Sequence, residues 1–222
     1  MVVLITGASG GLGGAVVQAF LDDGAAAVFG VARSWKGEDP EDGRFHRVQA
    51  DVLQASECRR VVEKATPIDV LVHLVGGFSG GKPVAEGDDD VWEQMLNINL
   101  RSAVQMFRAV LPQMTKARRG RVVAVGSRAA VEPMANFAAY SSAKAALVTL
   151  VKAVAQEVKD SGVTANVVLP SIIDTPVNRA AMPKTDFSKW VTPESIGHLL
   201  VFLASAKAGD MNGAVIPIYG RM

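Results

Sequence analysis

A phenol, an amine and a hydroxyl lie close together in this chain: Tyr140 and Lys144 stand four residues apart in Tyr140-Ser141-Ser142-Ala143-Lys144, and Ser127 lies upstream of them. The trio suits proton transfer to a carbonyl oxygen. A free phenol has a pKa near ~10, too weakly acidic for neutral work, so an adjacent ammonium that favours phenolate is expected to bring it down. On a helix, side chains four apart share one face, which places Lys144 one turn from Tyr140. A Tyr and a Lys at this spacing also occur on ordinary helix surfaces. The weight comes from the rest of the chain.

The elements that must position this trio begin at residue 2. Val2-Val3-Leu4-Ile5 is apolar and β-branched and leads into Thr6-Gly7-Ala8-Ser9-Gly10-Gly11-Leu12-Gly13. The pattern reads as strand, tight turn and helix. Glycines at 7, 11 and 13 let the backbone approach a pyrophosphate, and the amides opening the next helix point at its negative charge. Ser9, Gly10 and Leu12 belong to the same cofactor-binding turn. The helix runs through Ala15, Val16, Ala19, Phe20 and Leu21 to a stop at Gly24.

Strands and helices alternate from there on. Strands are expected over 26–32, 45–50, 70–75, 163–169 and 214–218, with another ending at Gly126; 34–43 is polar and turn-rich. Helices are expected over 57–65, from Asp88 to Met114, from the Tyr140 region to about Asp160, and after Thr192-Pro193-Glu194, a cap followed by a first-turn proline. Such alternation implies a parallel sheet covered on both faces. Asp88-Asp89-Asp90 reads as a negatively charged helix start, favoured by the helix dipole, and no metal is expected.

With these motifs in order, the chain resembles the short-chain dehydrogenase/reductase family, and the resemblance covers almost all of it. TGxxxGxG is matched at Thr6–Gly13 and YxxxK at Tyr140–Lys144. The resemblance implies an α/β fold, a doubly wound parallel sheet (Rossmann fold) of about seven strands with helices on both faces. It implies an Asn-Ser-Tyr-Lys set at Asn99, Ser127, Tyr140 and Lys144, with Asn99 bending its helix and holding a water that links Lys144 to solvent. Ser127 would position the substrate, and Lys144 would also hold the nicotinamide ribose. Asp51 and Val52 would hold the adenine, while Gly76, Pro170 and Thr175 would also line the cofactor. Two departures stand out. His73-Leu74-Val75-Gly76 replaces the usual Asn-Asn-Ala-Gly, and Ser171 follows Pro170 where many members have Gly. A lone His in a strand is expected to make a structural hydrogen bond. Val75 to Gly81, and the stretch from Leu169 to Trp190, are locally similar to dihydropteridine reductases. Residues 174–190 are read as a substrate lid, with Phe187 and Trp190 as candidate pocket residues.

Composition fits one enzyme domain over 1–222, with 49% hydrophobic residues and 23 basic against 22 acidic side chains. The charge balance argues against a nucleic-acid surface driven by bulk charge. A single cysteine, Cys58, excludes an intrachain disulfide and suits a reducing cytoplasm. No signal peptide is read at the start, and no apolar segment reaches the ~20 residues needed to span a bilayer.

At the end of the second strand, Val31-Ala32-Arg33-Ser34 offers no carboxylate for an adenosine ribose. Arg33 can pair with a 2′-phosphate, so NADP(H) is expected over NAD(H), with Ser34 beside it. The leading expectation is an NADP(H)-dependent reductase of a ketone or aldehyde. Alternatives are a pterin-type reductase, a non-catalytic NADP(H)-sensing protein, and a structural subunit whose interface is Leu147, Val151 and Val154, a face that core packing or self-assembly of an active enzyme explains at least as well. Family members commonly form dimers or tetramers, so a homodimer or homotetramer is expected.

Overall fold

Seven short apolar runs separated by amphipathic helices can bury both sides of every strand only in a layered sheet. The computed structural model, which describes residues 1–35 and 42–222, has that arrangement. The centre of the turn-rich stretch expected over 34–43 lies outside the described residues. The strands are β1 (Val2–Thr6), β2 (Ala27–Ala32), β3 (Phe45–Gln49), β4 (Val70–His73), β5 (Gly120–Val125), β6 (Val163–Pro170) and β7 (Val215–Ile218). They form one sheet in the order β3-β2-β1-β4-β5-β6-β7, parallel throughout. The order reverses between β1 and β4, which opens a crevice at the carboxyl ends of those strands.

The helices are α1 (Gly13–Asp22), α2 (Ala55–Ala65), α3 (Asp89–Leu96), α4 (Ser102–Ala117), α5 (Ala138–Val158), α6 (Pro176–Ala181) and α7 (Pro193–Ala204). Alternation along each strand sends neighbours to opposite layers. Val3 and Ile5 pack with Val16, Phe20, Ile196 and Leu200 on the α1/α7 side. Leu4 packs with Leu71, Met106, Val122 and Leu147 on the α2/α4/α5 side. Each such fully buried large side chain contributes roughly 1.5–3 kcal/mol relative to exposure. Thr192 Oγ1 accepts from Ser195 N at 3.2 Å and caps α7 as expected.

Two expectations need correction. Leu147, Val151 and Val154 are buried in the core under the sheet, so they are not a docking face. The helix expected from Asp88 to Met114 is interrupted: between α3 and α4, Asn97–Arg101 form a π-helical turn. The cause is local. Asn99 Nδ2 donates to Met95 O at 3.1 Å, the carbonyl that the Asn99 backbone N–H would take in a regular α-helix.

Candidate active site

The turn after β1 is tied to β2, with Gly7 N and Ala8 N both donating to Val31 O, at 2.8 and 3.2 Å. Gly7 has φ +77°, and a Cβ there would sit 2.9 Å from Val75 N. A Cβ on Gly13 would lie 2.1 Å from Ala8 O, so the first turn of α1 closes only around a glycine. Ser9, Gly10 and Gly11 are exposed and Leu12 half-buried. This bare backbone at a helix start is a cradle that side chains would fill, and it fits the pyrophosphate of a dinucleotide. Gly11 faces Thr175, whose methyl would be 3.1 Å from a Cβ at that position. Thr175 Oγ1 also caps α6 by accepting from Asn178 N at 3.3 Å. The cleft beside them, about 560 Å³, is lined by Gly11, Asp174, Thr175, Arg179 and Glu194 among others.

Asn99 fastens the chain beyond β4. Its Oδ1 accepts from Gly77 N at 3.1 Å, and its Nδ2 donates to Gly77 O at 3.0 Å as well as to Met95 O. Both amide hydrogens are thereby engaged, which leaves a water only the second lone pair of Oδ1. The side chain is therefore a clamp on Gly77. A Cβ on Gly76 would lie 2.9 Å from Asn99 Oδ1 and 3.0 Å from Lys144 Nζ, so Gly76, Asn99 and Lys144 meet at one point.

Lys144 is buried and its Nζ donates to Val125 O at 3.2 Å. Burial brings its pKa down to about 8. Tyr140 moves the other way: burial raises its phenol above the ordinary value, and the hydrogen bond from Ser127 opposes this. Lys144 is not among the groups that shift it, so the expected lowering by the ammonium is not a property of the site as it stands. The physical reason is that desolvation outweighs the neighbours' effects. Ser127 Oγ accepts from Ala129 N at 3.2 Å, and its own hydrogen is turned to the phenol.

His73 is structural, as expected of a lone strand histidine. Its Nδ1 lies 2.9 Å from Thr6 Oγ1 and its Nε2 lies 3.2 Å from Ser102 Oγ. The Ser102 hydroxyl donates to Ile98 O at 2.7 Å, so Nε2 must carry the proton and Nδ1 must accept from Thr6. Burial, then the Lys144 charge, holds the imidazole down at about 3, and it stays neutral.

At the adenosine end, Arg33 and Ser34 are exposed beside the glycine turn, and among the described residues Arg33 has no ion-pair partner. Asp51 is half-buried, with Oδ1 accepting from Leu53 N at 3.0 Å and its own N–H donating to Glu57 Oε2 at 2.7 Å. Val52 is buried behind it and accepts from the Cys58 thiol at 3.3 Å. Burial, then the Asp51 and Glu57 charges, pushes that thiol up to about 11, so Cys58 is inert. Pro170 ends β6, and Ser171 Oγ donates to Tyr219 O at 2.8 Å, which accounts for a hydroxyl at this departure.

Residues 174–190 leave and rejoin the body at one place, where Ile173 and Val191 form a parallel bridge. Within this segment, Asp174 pairs with Arg179 at 2.5 Å and the Arg179 guanidinium covers Phe187 at 5.0 Å. Trp190 is 5% exposed and packs against Phe187. These two aromatics pack on one another within the segment, and among the described residues neither is in ring contact with Tyr140. The rings that gather at the phenol are Phe78, 4.9 Å away at 81°, and Phe137, stacked on Phe78 at 4.8 Å. The sequence marks Phe78 only as part of the Val75–Gly81 stretch, directly after the Gly76-Gly77 pair, and Phe137 not at all.

Comparison with known proteins adds to this geometry. The family described as "short chain dehydrogenase" matches residues 1–186. A 3-oxoacyl-(acyl-carrier-protein) reductase of Mycobacterium avium is 32% identical over 232 residues, 99% of this chain and 89% of that protein. The crystal structure of a short-chain dehydrogenase/reductase family oxidoreductase from Burkholderia thailandensis superposes with a TM-score of 0.87 at 30% identity, over 98% of this chain and 90% of that one. A levodione reductase structure has a TM-score of 0.91 at 25% identity, over 98% and 95% of the two chains.

Proposed function

Because this chain belongs to the short-chain dehydrogenase/reductase family and is therefore an NAD(P)-dependent oxidoreductase, we propose that it reduces a ketone or aldehyde with NADP(H), Tyr140 serving as general acid. The observation that carries the reading is that Asn99 and Lys144 meet at Gly76 while Tyr140, one turn before Lys144 on α5, is hydrogen-bonded to Ser127. The relatives named as a 3-oxoacyl reductase and a levodione reductase support a carbonyl substrate.

When bound, the reduced nicotinamide supplies a hydride to the carbonyl carbon. Ser127 and Tyr140 donate hydrogen bonds to the carbonyl oxygen and draw electron density from that carbon. As the oxygen becomes an alkoxide it takes the Tyr140 proton, so aldehyde or ketone becomes alcohol and the phenol becomes phenolate. A phenol whose pKa is raised stays protonated at neutral pH, which suits the reducing direction. Lys144 holds the nicotinamide ribose, while Asn99 keeps Gly77 and its neighbours in place. Gly7, Ser9, Gly10, Gly11, Leu12 and Gly13 cradle the pyrophosphate; Asp51 and Val52 border the adenine; Gly76, Pro170 and Thr175 border the nicotinamide half. Residues 174–190 close over the site as a lid, and the enzyme works as a homodimer or homotetramer in the cytoplasm.

Cofactor choice rests on Arg33, exposed and without an ion-pair partner among the described residues. Comparing kcat/KM for NADPH and NADH in wild type and Arg33→Ala should show a preference for NADPH of about tenfold or more that the substitution removes. A preference for NADH in wild type would remove the argument. The activity itself is tested with ketones, aldehydes and a quinonoid dihydropterin, the last because of the local similarity over 169–190. Tyr140→Phe should lower kcat by about 10²–10⁴ with cofactor affinity kept. Cofactor binding with no turnover on any member of the panel would favour a sensing role instead.

A further inference from the structure

Phe78 is 60% exposed, an unusual position for a phenylalanine in ring contact with a half-buried phenol. Its loop is not loose. Asn99 holds Gly77 from both sides, and Gly81 N donates to Asn136 O at 2.8 Å. Gly80 has φ +156° and comes so close to Phe137 that a Cβ would be 2.6 Å from its ring. Residue 78 is thus suspended between two fixed backbone points, with Phe137 stacked against it at 22° and Tyr140 meeting it edge-on. Burying the outer surface of this ring would be favourable, and none of the described residues does so.

The same end of the sheet gathers other open apolar side chains. Val131 and Met134 lie on the loop after β5, and Val177 opens α6 after β6; they are 52%, 45% and 75% exposed. The charged groups on these segments are matched with each other: Arg128 with Glu132 at 2.6 Å, and Arg179 with Asp174. A rim of this kind offers an ionic substrate little and a flat apolar one much.

We propose that Phe78 sets the substrate class: its outward surface receives the uncharged ring of an aryl or cyclic ketone whose carbonyl reaches Ser127 and Tyr140. The assignment deepens, and rests on, the carbonyl-reductase reading above. Ring-on-ring stacking in an offset or edge-to-face arrangement supplies both affinity and orientation, and a preformed platform limits the ordering needed on binding.

The test compares wild type, Phe78→Leu and Phe78→Ala with NADPH on acetophenone and on 2-butanone. It is paired with calorimetric titration of acetophenone into NADP⁺-saturated protein and with native mass measurement. The acetophenone to 2-butanone ratio of kcat/KM should fall by about 10–100-fold in Phe78→Ala, mostly through KM, with Phe78→Leu intermediate. An unchanged ratio, or an equal loss on both ketones, overturns the assignment. So does loss of self-association with the ratio kept, which would make the exposed ring a contact between copies. Should wild type turn over neither ketone, the carbonyl-reductase reading fails for these substrates, and calorimetry still decides this one. Acetophenone binding that Phe78→Ala abolishes supports the ring platform; no binding to wild type removes it.

Discussion

Two buried bases next to one another show how environment sets the role of a residue. Lys144 and His73 are both desolvated, yet Lys144, at about 8, remains largely charged at neutral pH whereas His73, at about 3, does not. For each base the folded value lies below the ordinary one, so the unfolded chain binds the proton more tightly. The penalty on Lys144 is full below pH 8 and vanishes as pH rises to its ordinary 10.5. Lys144→Met should therefore raise Tm at pH 7 by roughly 2–6 °C while abolishing turnover, the gap closing toward pH 10. A lower Tm for the variant at pH 7 would contradict this. For His73 the sign gives stability that declines as pH falls from 6.5 toward 3. Removing its ring leaves the Thr6 and Ser102 hydroxyls without their partner, so His73→Leu should cost about 2–4 kcal/mol in urea unfolding. Near-normal stability in that variant would deny the bridge. The types and spacing of Ser127, Tyr140 and Lys144 were legible in the sequence, because two of them share one helix and the third lies just past the strand before it. The direction of the Tyr140 shift was not, since burial by distant segments decides it.

Among the elements, the π-helical turn Asn97–Arg101 ties the helix layer to the site. Its side-chain bond to Met95 O and its two bonds to Gly77 act together, so removing the amide frees both ends. Asn99→Ala should raise the hydrogen-exchange rate of the Gly77 amide by about tenfold or more, because that N–H loses its acceptor. Unchanged protection would mean that other contacts hold the loop. Strand and helix positions were readable to within a few residues, because apolar runs of five or six and the Thr192-Pro193 cap are local signals. The break at Asn99 was foreseen only as a bend, since a periodicity of 3.6 does not register one extra residue per turn. The gathering of rings at Tyr140 was missed for a related reason: Phe78 and Phe137 lie 59 positions apart, and their loops meet through tertiary contacts, the Gly81–Asn136 bond and the approach of Gly80 to Phe137.

At the scale of the whole molecule, the crevice between β1 and β4 brings the first residues of the chain against a segment that follows the sixth strand. Gly11 and Thr175 meet there, and a dinucleotide spanning them would join the two halves of the sheet. Ligand at ~100 times its Kd should stabilise the fold by about 2.7 kcal/mol, a rise of roughly 5–10 °C in Tm. NADP⁺ should give the larger rise at equal concentration, and Arg33→Ala should make the two cofactors equal; identical shifts in wild type would argue against the phosphate contact. The parallel order was legible because alternating elements leave few other topologies. The Leu147 face was ambiguous in sequence because core and interface share the same chemistry. Cys58, the sole thiol, has a further use: buried on the inner face of α2 and held at about 11, it should be unreactive toward maleimide dyes at neutral pH. Val177→Cys would then be the one position a fluorophore can reach, and its emission would show, without any background label to subtract, whether the 174–190 segment swings when cofactor enters.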